Sequence, residues 1–340
     1  MIHDKKINNL ILNWLTITMG LIFLMIIVGG FTRLTDSGLS ITEWELFSGI
    51  IPPINNTVWE KYFELYKTIP QFKLINPTMN LEEFKVIFYW EYAHRILGRV
   101  IGLFFLIPLI YFHFFKKIKF KYLREYYFVM FLIILQGIVG WYMVTSGLVN
   151  DVTVSHYRLS LHLSLAILII SILFWKIKNL QENTTKVFFD LSKNKLPFIF
   201  LIFLIFTQII FGAFVSGLDA GKIYQTWPLM GESYFPNDYD GKLLSDLINF
   251  ENHSLIQFYH RNIAYLISIY IFILSFLIIK NKKMKSLKPL IILIIVISLQ
   301  IILGIFTLIS QLNMFIAASH QILSVILILS SINLYYSSIK

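Results

Sequence analysis

The sequence predicts an all-α integral membrane protein with eight transmembrane helices arranged as two pseudo-symmetric four-helix bundles. Three observations carry that expectation. The 340 residues are 57% hydrophobic with a mean hydropathy of +0.70, too apolar for an ordinary soluble domain. Eight stretches, roughly 14–31, 88–112, 126–146, 154–175, 196–216, 254–279, 288–309 and 314–336, are each long enough to cross a bilayer as a helix. Finally, what the first four stretches carry recurs in the last four.

The first stretch ends in Gly29, Gly30, Phe31, Thr32, Arg33, Leu34, Thr35, Asp36, Ser37 and Gly38, followed by Trp44. From Gly212 the chain repeats the pattern, so that Gly29, Phe31, Asp36, Gly38 and Trp44 find partners 183 positions later in Gly212, Phe214, Asp219, Gly221 and Trp227. The second stretch opens on Glu91, His94, Arg95 and Arg99, and His94-Arg95 recurs as His260-Arg261. Gln136 and Gly140 of the third recur as Gln300 and Gly304 of the seventh, and His162 of the fourth as His320 of the eighth. Each half has an even number of spans, so the repeats run in the same direction. The expected domains are 1–180, with a long outer loop 32–87, and 181–340.

That loop has amphipathic pieces of its own. One runs around Thr57 to Lys67 and is stopped by Pro70; a capping pattern at Asn80 and Glu83 leads into the second span. Trp44, Trp59, Phe63 and Trp90 suit a loop lying on the membrane surface or a plain interfacial anchor.

The net charge of +10 lies in short loops, where it is a topology signal rather than a nucleic-acid footprint. Lys5, Lys6 and the runs Lys116 to Arg124, Lys176 to Lys195 and Lys280 to Lys288 mark the cytoplasmic side. Glu43, Glu45, Glu60, Glu82, Glu83, Asp238 and Asp240 lie in the long loops 32–87 and 217–252, expected outside. Both termini are expected in the cytoplasm, and no cleavable signal pattern precedes the first span. With no cysteine, disulfides, thiolate ligands and iron–sulfur clusters drop out, and any metal must rest on histidine or carboxylate.

His94, His162, His260 and His320 fall at one depth inside their spans, and each is followed four residues later by a small residue, Gly98, Ala166, Ala264 and Ser324. One intramembrane histidine can be a packing residue. Four at matching depth, two per half, favour axial ligation of two haems, one in each bundle. Two paired imidazoles without cysteine make a poor closed zinc or copper site. His3, His113 and His253 read as solvated, and His156 as structural or propionate-contacting.

Only six of the 29 basic residues are arginine, and Arg33, Arg95, Arg99, Arg158 and Arg261 sit at outer helix ends. Bidentate recognition of haem propionates explains that choice, with interfacial snorkelling as the plainer alternative. Glu91 stands three before His94, where the second half has Gln257 three before His260. The acid could pair with Arg95 as a structural bridge, transfer a proton, or stabilise positive charge developing beside a haem edge. Asp36 and Asp219 read as turn residues.

At these residues the sequence resembles the haem A synthase family. The resemblance rests on Glu91-x-x-His94-Arg95, Tyr157-Arg158-Leu159-x-x-His162, His260-Arg261, His320-Gln321 and the turn carrying Phe31, Arg33, Leu34, Ser37, Gly38 and Leu39. It implies an oxidoreductase that converts a ring methyl of haem O to a formyl group, giving haem A for cytochrome oxidase. The resemblance also implies substrate haem between His94 and His162, a permanent haem b between His260 and His320, and Glu91 as the catalytic acid residue. Lacking the cysteine pair of some members, the chain is similar to the cysteine-free class of proteobacteria and mitochondria, and a bacterial inner membrane is the expected location. Expected partners are haem O and the haem O synthase that supplies it, an unidentified electron donor, membrane lipid and a possible second copy, with no nucleic acid. The rivals are a dihaem cytochrome b that only passes electrons and a haem carrier without turnover.

Overall fold

The computed structural model describes residues 5–43, 48–115, 118, 120–148, 151–241, 243–281 and 284–339. His3, Trp44, Glu45 and the lysines Lys116, Lys117, Lys119, Lys282 and Lys283, on which parts of the sequence reading rest, lie outside the described residues.

Ten α-helices run through the described residues: α1 (Lys5–Leu34), α2 (Asn56–Lys67), α3 (Pro70–Leu74), α4 (Leu81–Phe115), α5 (Phe120–Gly147), α6 (His156–Gln181), α7 (Leu196–Gly217), α8 (His253–Lys280), α9 (Leu287–Ile309) and α10 (Met314–Ser338). All but α2 and α3 are long and apolar enough to cross a membrane, and each of those eight overlaps one predicted stretch, α6 starting two residues later than expected. The chain therefore has the make-up of a multi-pass membrane protein. Two compact units divide inside α6, between Ile169 and Ile170.

In the first unit α1 packs along α4, and α4 against α5. Near the start of α1 the Trp14 ring meets Phe105 at 4.6 Å, Phe112 at 5.5 Å and Tyr126 at 5.5 Å, tying three helices by one side chain. The helix α4 begins two turns before its membrane stretch, and those turns carry the long loop. Asn80 and Glu83 form the expected reciprocal cap, with Oδ1 of Asn80 accepting from the Glu83 amide and Oε2 of Glu83 from the Asn80 amide, each at 3.0 Å. Asn55 caps α2. Trp59, Phe63, Tyr66, Phe84, Ile87 and Phe88 bury one another in a small apolar core between α2 and α4. Trp59 and Phe63 thus depart from the interfacial-anchor expectation, because their rings find partners within the loop. Trp90 stacks on Phe31 at 5.2 Å, joining the end of α1 to α4.

The second unit closes on itself: α7 packs on α8, α8 on α9, α9 on α10 and α10 on α7. Trp175 and Phe188 pack on Tyr335, and the Tyr336 hydroxyl joins Thr184 and Asn179, so the last helix is tied to the end of α6. Asp36 and Asp219 both sit at positive φ, 50° and 51°, as single left-handed residues that end α1 and α7. Arg33 donates to Asp36 at 2.8 Å across the first of these turns. At this turn the repeat read from the sequence is matched by the backbone conformation.

Candidate functional site

Helix α4 presents His94 and α6 presents His162, with ring centroids 6.4 Å apart and planes at 48°. In the second unit His260 on α8 and His320 on α10 also stand 6.4 Å apart, at 76°. Two imidazoles on opposite sides of one metal ion, with bonds of about 2.0–2.1 Å, would hold their ring centres about 6.3 Å apart, whereas a tetrahedral ion would draw them to about 5 Å. His162, His260 and His320 lie six or seven residues into their helices. His94 lies deeper in α4 only because that helix starts early.

Each ring lies edge-on against a glycine of a neighbouring helix, for a steric reason. A Cβ at Gly29 would sit 3.0 Å from His94 Cε1, at Gly140 2.9 Å from His162 Cε1, at Gly212 3.2 Å from His260 Cε1, and at Gly304 2.9 Å from His320 Cε1. Only a bare backbone lets the imidazole lie that close. The Nδ1 atoms of His94, His162 and His260 are buried on that side without a hydrogen-bond partner. The Nε2 of His260 lies 3.3 Å from the Gln208 amide nitrogen. In His320 Nδ1 is 3.1 Å from the Gln300 backbone carbonyl, the contact that fixes the tautomer of a metal-binding imidazole. Among the described residues no three His, Asp or Glu side chains gather as a metal cage. Two imidazoles at that separation, with glycine-lined flanks, fit a flat iron porphyrin between them.

Three glutamines brace these histidines. Gln136, Gln208 and Gln300, each four residues before the facing glycine, donate from Nε2 to the backbone carbonyls of His162, His260 and His320 at 3.0, 2.9 and 3.1 Å. Gln136 and Gln300 stood out in the sequence as a repeat. Gln208 did not, because its counterpart 183 positions earlier is Met25, and a repeat search sees only what is kept.

In each unit the arginine that follows the first histidine of the pair holds a loop. The Arg95 guanidinium donates to the carbonyls of Ile41 at 2.9 Å and Glu43 at 3.4 Å, and to Glu91 Oε1 at 2.6 Å. Arg261 donates to Tyr224 at 3.0 Å and Leu229 at 3.2 Å. Ile41 and Tyr224 are themselves 183 apart, so the two arginines clamp the same point of the repeat. Glu91, 3% exposed, also accepts at Oε2 from the Ser40 hydroxyl and the Ile41 amide, both at 2.8 Å. Gln257, its counterpart, instead donates to the Tyr224 carbonyl at 2.8 Å. The first unit thus encloses a carboxylate where the second has an amide. Sequence reasoning had no signal for Ser40 or Ile41, since a loop backbone carries no motif.

The remaining arginines scatter. Arg33 pairs with Asp36, Arg158 lies 4.9 Å over the Tyr142 ring, and Arg99 lies one turn beyond Arg95 on α4. The buried Nε of Arg261 keeps a hydrogen without an acceptor, which an anionic group in that unit could take. His156 is 5% exposed and packs on Tyr157 at 4.0 Å, as a structural residue does.

Residues 12–332 match the family model described as cytochrome oxidase assembly protein. The chain is 51% identical over 322 residues to a protein of Pelagibacter ubique named heme A synthase, covering 94% of this chain and 93% of that one. It is 41% identical to a protein of the same name from Rickettsia bellii, covering 96% and 97%, and 40% identical to one from the Wolbachia of Brugia malayi, covering 95% of each. With near-complete matches in both directions, the chain belongs to the haem A synthase family of cytochrome oxidase assembly proteins.

Proposed function

We propose that the chain is the oxidoreductase that converts haem O to haem A, oxidising a ring methyl to a formyl group, in a bacterial inner membrane with both termini cytoplasmic. The observation that carries this reading is the contrast between two histidine pairs of equal spacing, only one of which has a buried carboxylate one helical turn away. His94 and His162 hold the substrate haem in the domain 1–180; His260 and His320 hold a permanent haem b in the domain 181–340. When bound, that haem supplies one-electron redox chemistry. Haem O synthase supplies the substrate, and because turning a methyl into a formyl group removes four electrons and adds an oxygen atom, the reaction also consumes an oxidant: dioxygen, reduced with the help of the electron donor, or an electron acceptor with water as the oxygen source.

Glu91 has both oxygens occupied by Arg95, Ser40 and the Ile41 amide, so of the roles open to it the charge-stabilising one is favoured over proton shuttling. A carboxylate anchored this way needs no reorganisation as positive charge develops nearby. Arg95 positions it and pins residues 41–43 beside it. Arg33, Arg99, Arg158 and Arg261 remain the propionate partners of this proposal, and Arg261 offers its free Nε–H.

The test is haem extraction and mass analysis from cells that make the protein with haem O supplied. Formyl haem is expected; a folded, haem-loaded protein that leaves haem O unchanged would remove the enzyme reading in favour of an electron-transfer or carrier role.

A further inference from the structure

Each of the four histidines lies against a glycine, and four residues before each glycine stands a long unbranched side chain: Met25, Gln136, Gln208 and Gln300. The three glutamines donate to the carbonyl of the histidine they face. Met25 has no hydrogen to donate. Its methyl lies instead against Gly98, where an added Cβ would stand 3.1 Å from Met25 Cε. Both ligand residues of the second pair are therefore braced by an amide, and only His162 of the first.

We propose that Met25 is a positioning residue that leaves His94 the loosely held member of the first pair, so that haem enters and leaves by letting go of His94 first. The inference rests on the reading that the first pair takes exchanging haem and the second keeps its own. A hydrogen bond to the ligand's own residue resists the small helix shift that ligand release requires, and a thioether offers only packing. Methionine and glutamine have similar length and volume, so exchanging them adds or removes the donor with little change in shape.

The experiment uses the full chain in detergent, loaded with haem at both sites, with apomyoglobin as the haem acceptor and transfer followed optically. Two phases are expected, a fast one abolished by His94→Ala and a slow one abolished by His260→Ala. Met25→Gln should slow the fast phase on the order of fivefold and leave the slow phase unchanged. Gln208→Met should quicken the slow phase by a similar factor, and this holds the proposal to account if Met25→Gln does not fold. Met25→Leu should change neither. An unaltered fast phase in folded Met25→Gln, an unaltered slow phase in Gln208→Met, or a shifted fast phase in Met25→Leu would overturn the role given to Met25. A fast phase that survives His94→Ala would instead overturn the half-by-half reading beneath it.

Discussion

In the second unit α7, α8, α9 and α10 close a ring in which each helix packs on the next, and both histidines are braced by glutamine. In the first unit α1 packs on α4 and α4 on α5, whereas α6, which carries His162, makes no comparably close backbone approach to α1 or α5 among the described residues. Yet the histidine rings stand equally far apart in both. Ligand spacing and ligand restraint are thus separate properties. Under the proposed function, the first is repeated because each pair would hold an iron porphyrin, and the second differs because a resident group and a passing one need different holds.

The sharpest way to break that comparison is to remove one ligand from each side. His260→Ala should lose the resident haem outright, and His94→Ala should keep it while losing haem A formation. Pyridine haemochrome content and extracted haem mass read the two effects, and equal losses in both variants would erase the distinction. Next in size is Glu91→Gln, which gives the first unit the amide of the second. Haem binding should persist while formyl haem production falls on the order of a hundredfold; full activity would take Glu91 out of the chemistry.

Gly140→Ala and Gly304→Ala sharpen the shared half of the comparison. Each places a methyl 2.9 Å from Cε1 of its histidine, so each ring must move. The low-spin absorption of one site should weaken in each variant, by an overpacking cost of about 1–3 kcal/mol. Ser40→Ala should loosen only the first unit's loop clamp, by about 1–2 kcal/mol, visible as faster amide exchange over residues 40–43. The smallest effect concerns Asp238, exposed in the loop of the second unit. Partial desolvation pushes its carboxyl up, but hydrogen bonds from Ser254 and Tyr224 outweigh this and hold it below the usual carboxylate value. Its contribution to loop order is therefore present above the unfolded carboxylate pKa and fades as pH falls through the lower folded value. Asp238→Asn should show no such acid-dependent loosening in a loop-exchange measurement.

Much of this was legible beforehand. The eight spans follow from apolar length, the cap at Asn80 and Glu83 from local chemistry, and the paired histidines from a repeat that keeps glycine, glutamine and histidine in the same order on corresponding spans. The small core around Trp59 and Phe63 was harder to see. Short amphipathic segments look the same whether their apolar face meets lipid or another segment. Arg95 and Arg261 carry the same lesson: their chemistry suits a carboxylate, and the folded chain also places loop carbonyls within their reach.

By itself the sequence determined the all-helical class, the eight spans, the two-fold repetition and the family, because hydropathy, helical period and repeated spacing are properties of the chain in one dimension. Tertiary structure alone decided which groups meet: the carboxylate of Glu91 closed in by Ser40 and Ile41, and the amide of Gln208 on His260 where Met25 leaves His94 without one. Such contacts join residues some fifty apart through the packing of separate elements, and no periodicity in the chain encodes which atoms that packing brings within hydrogen-bonding distance.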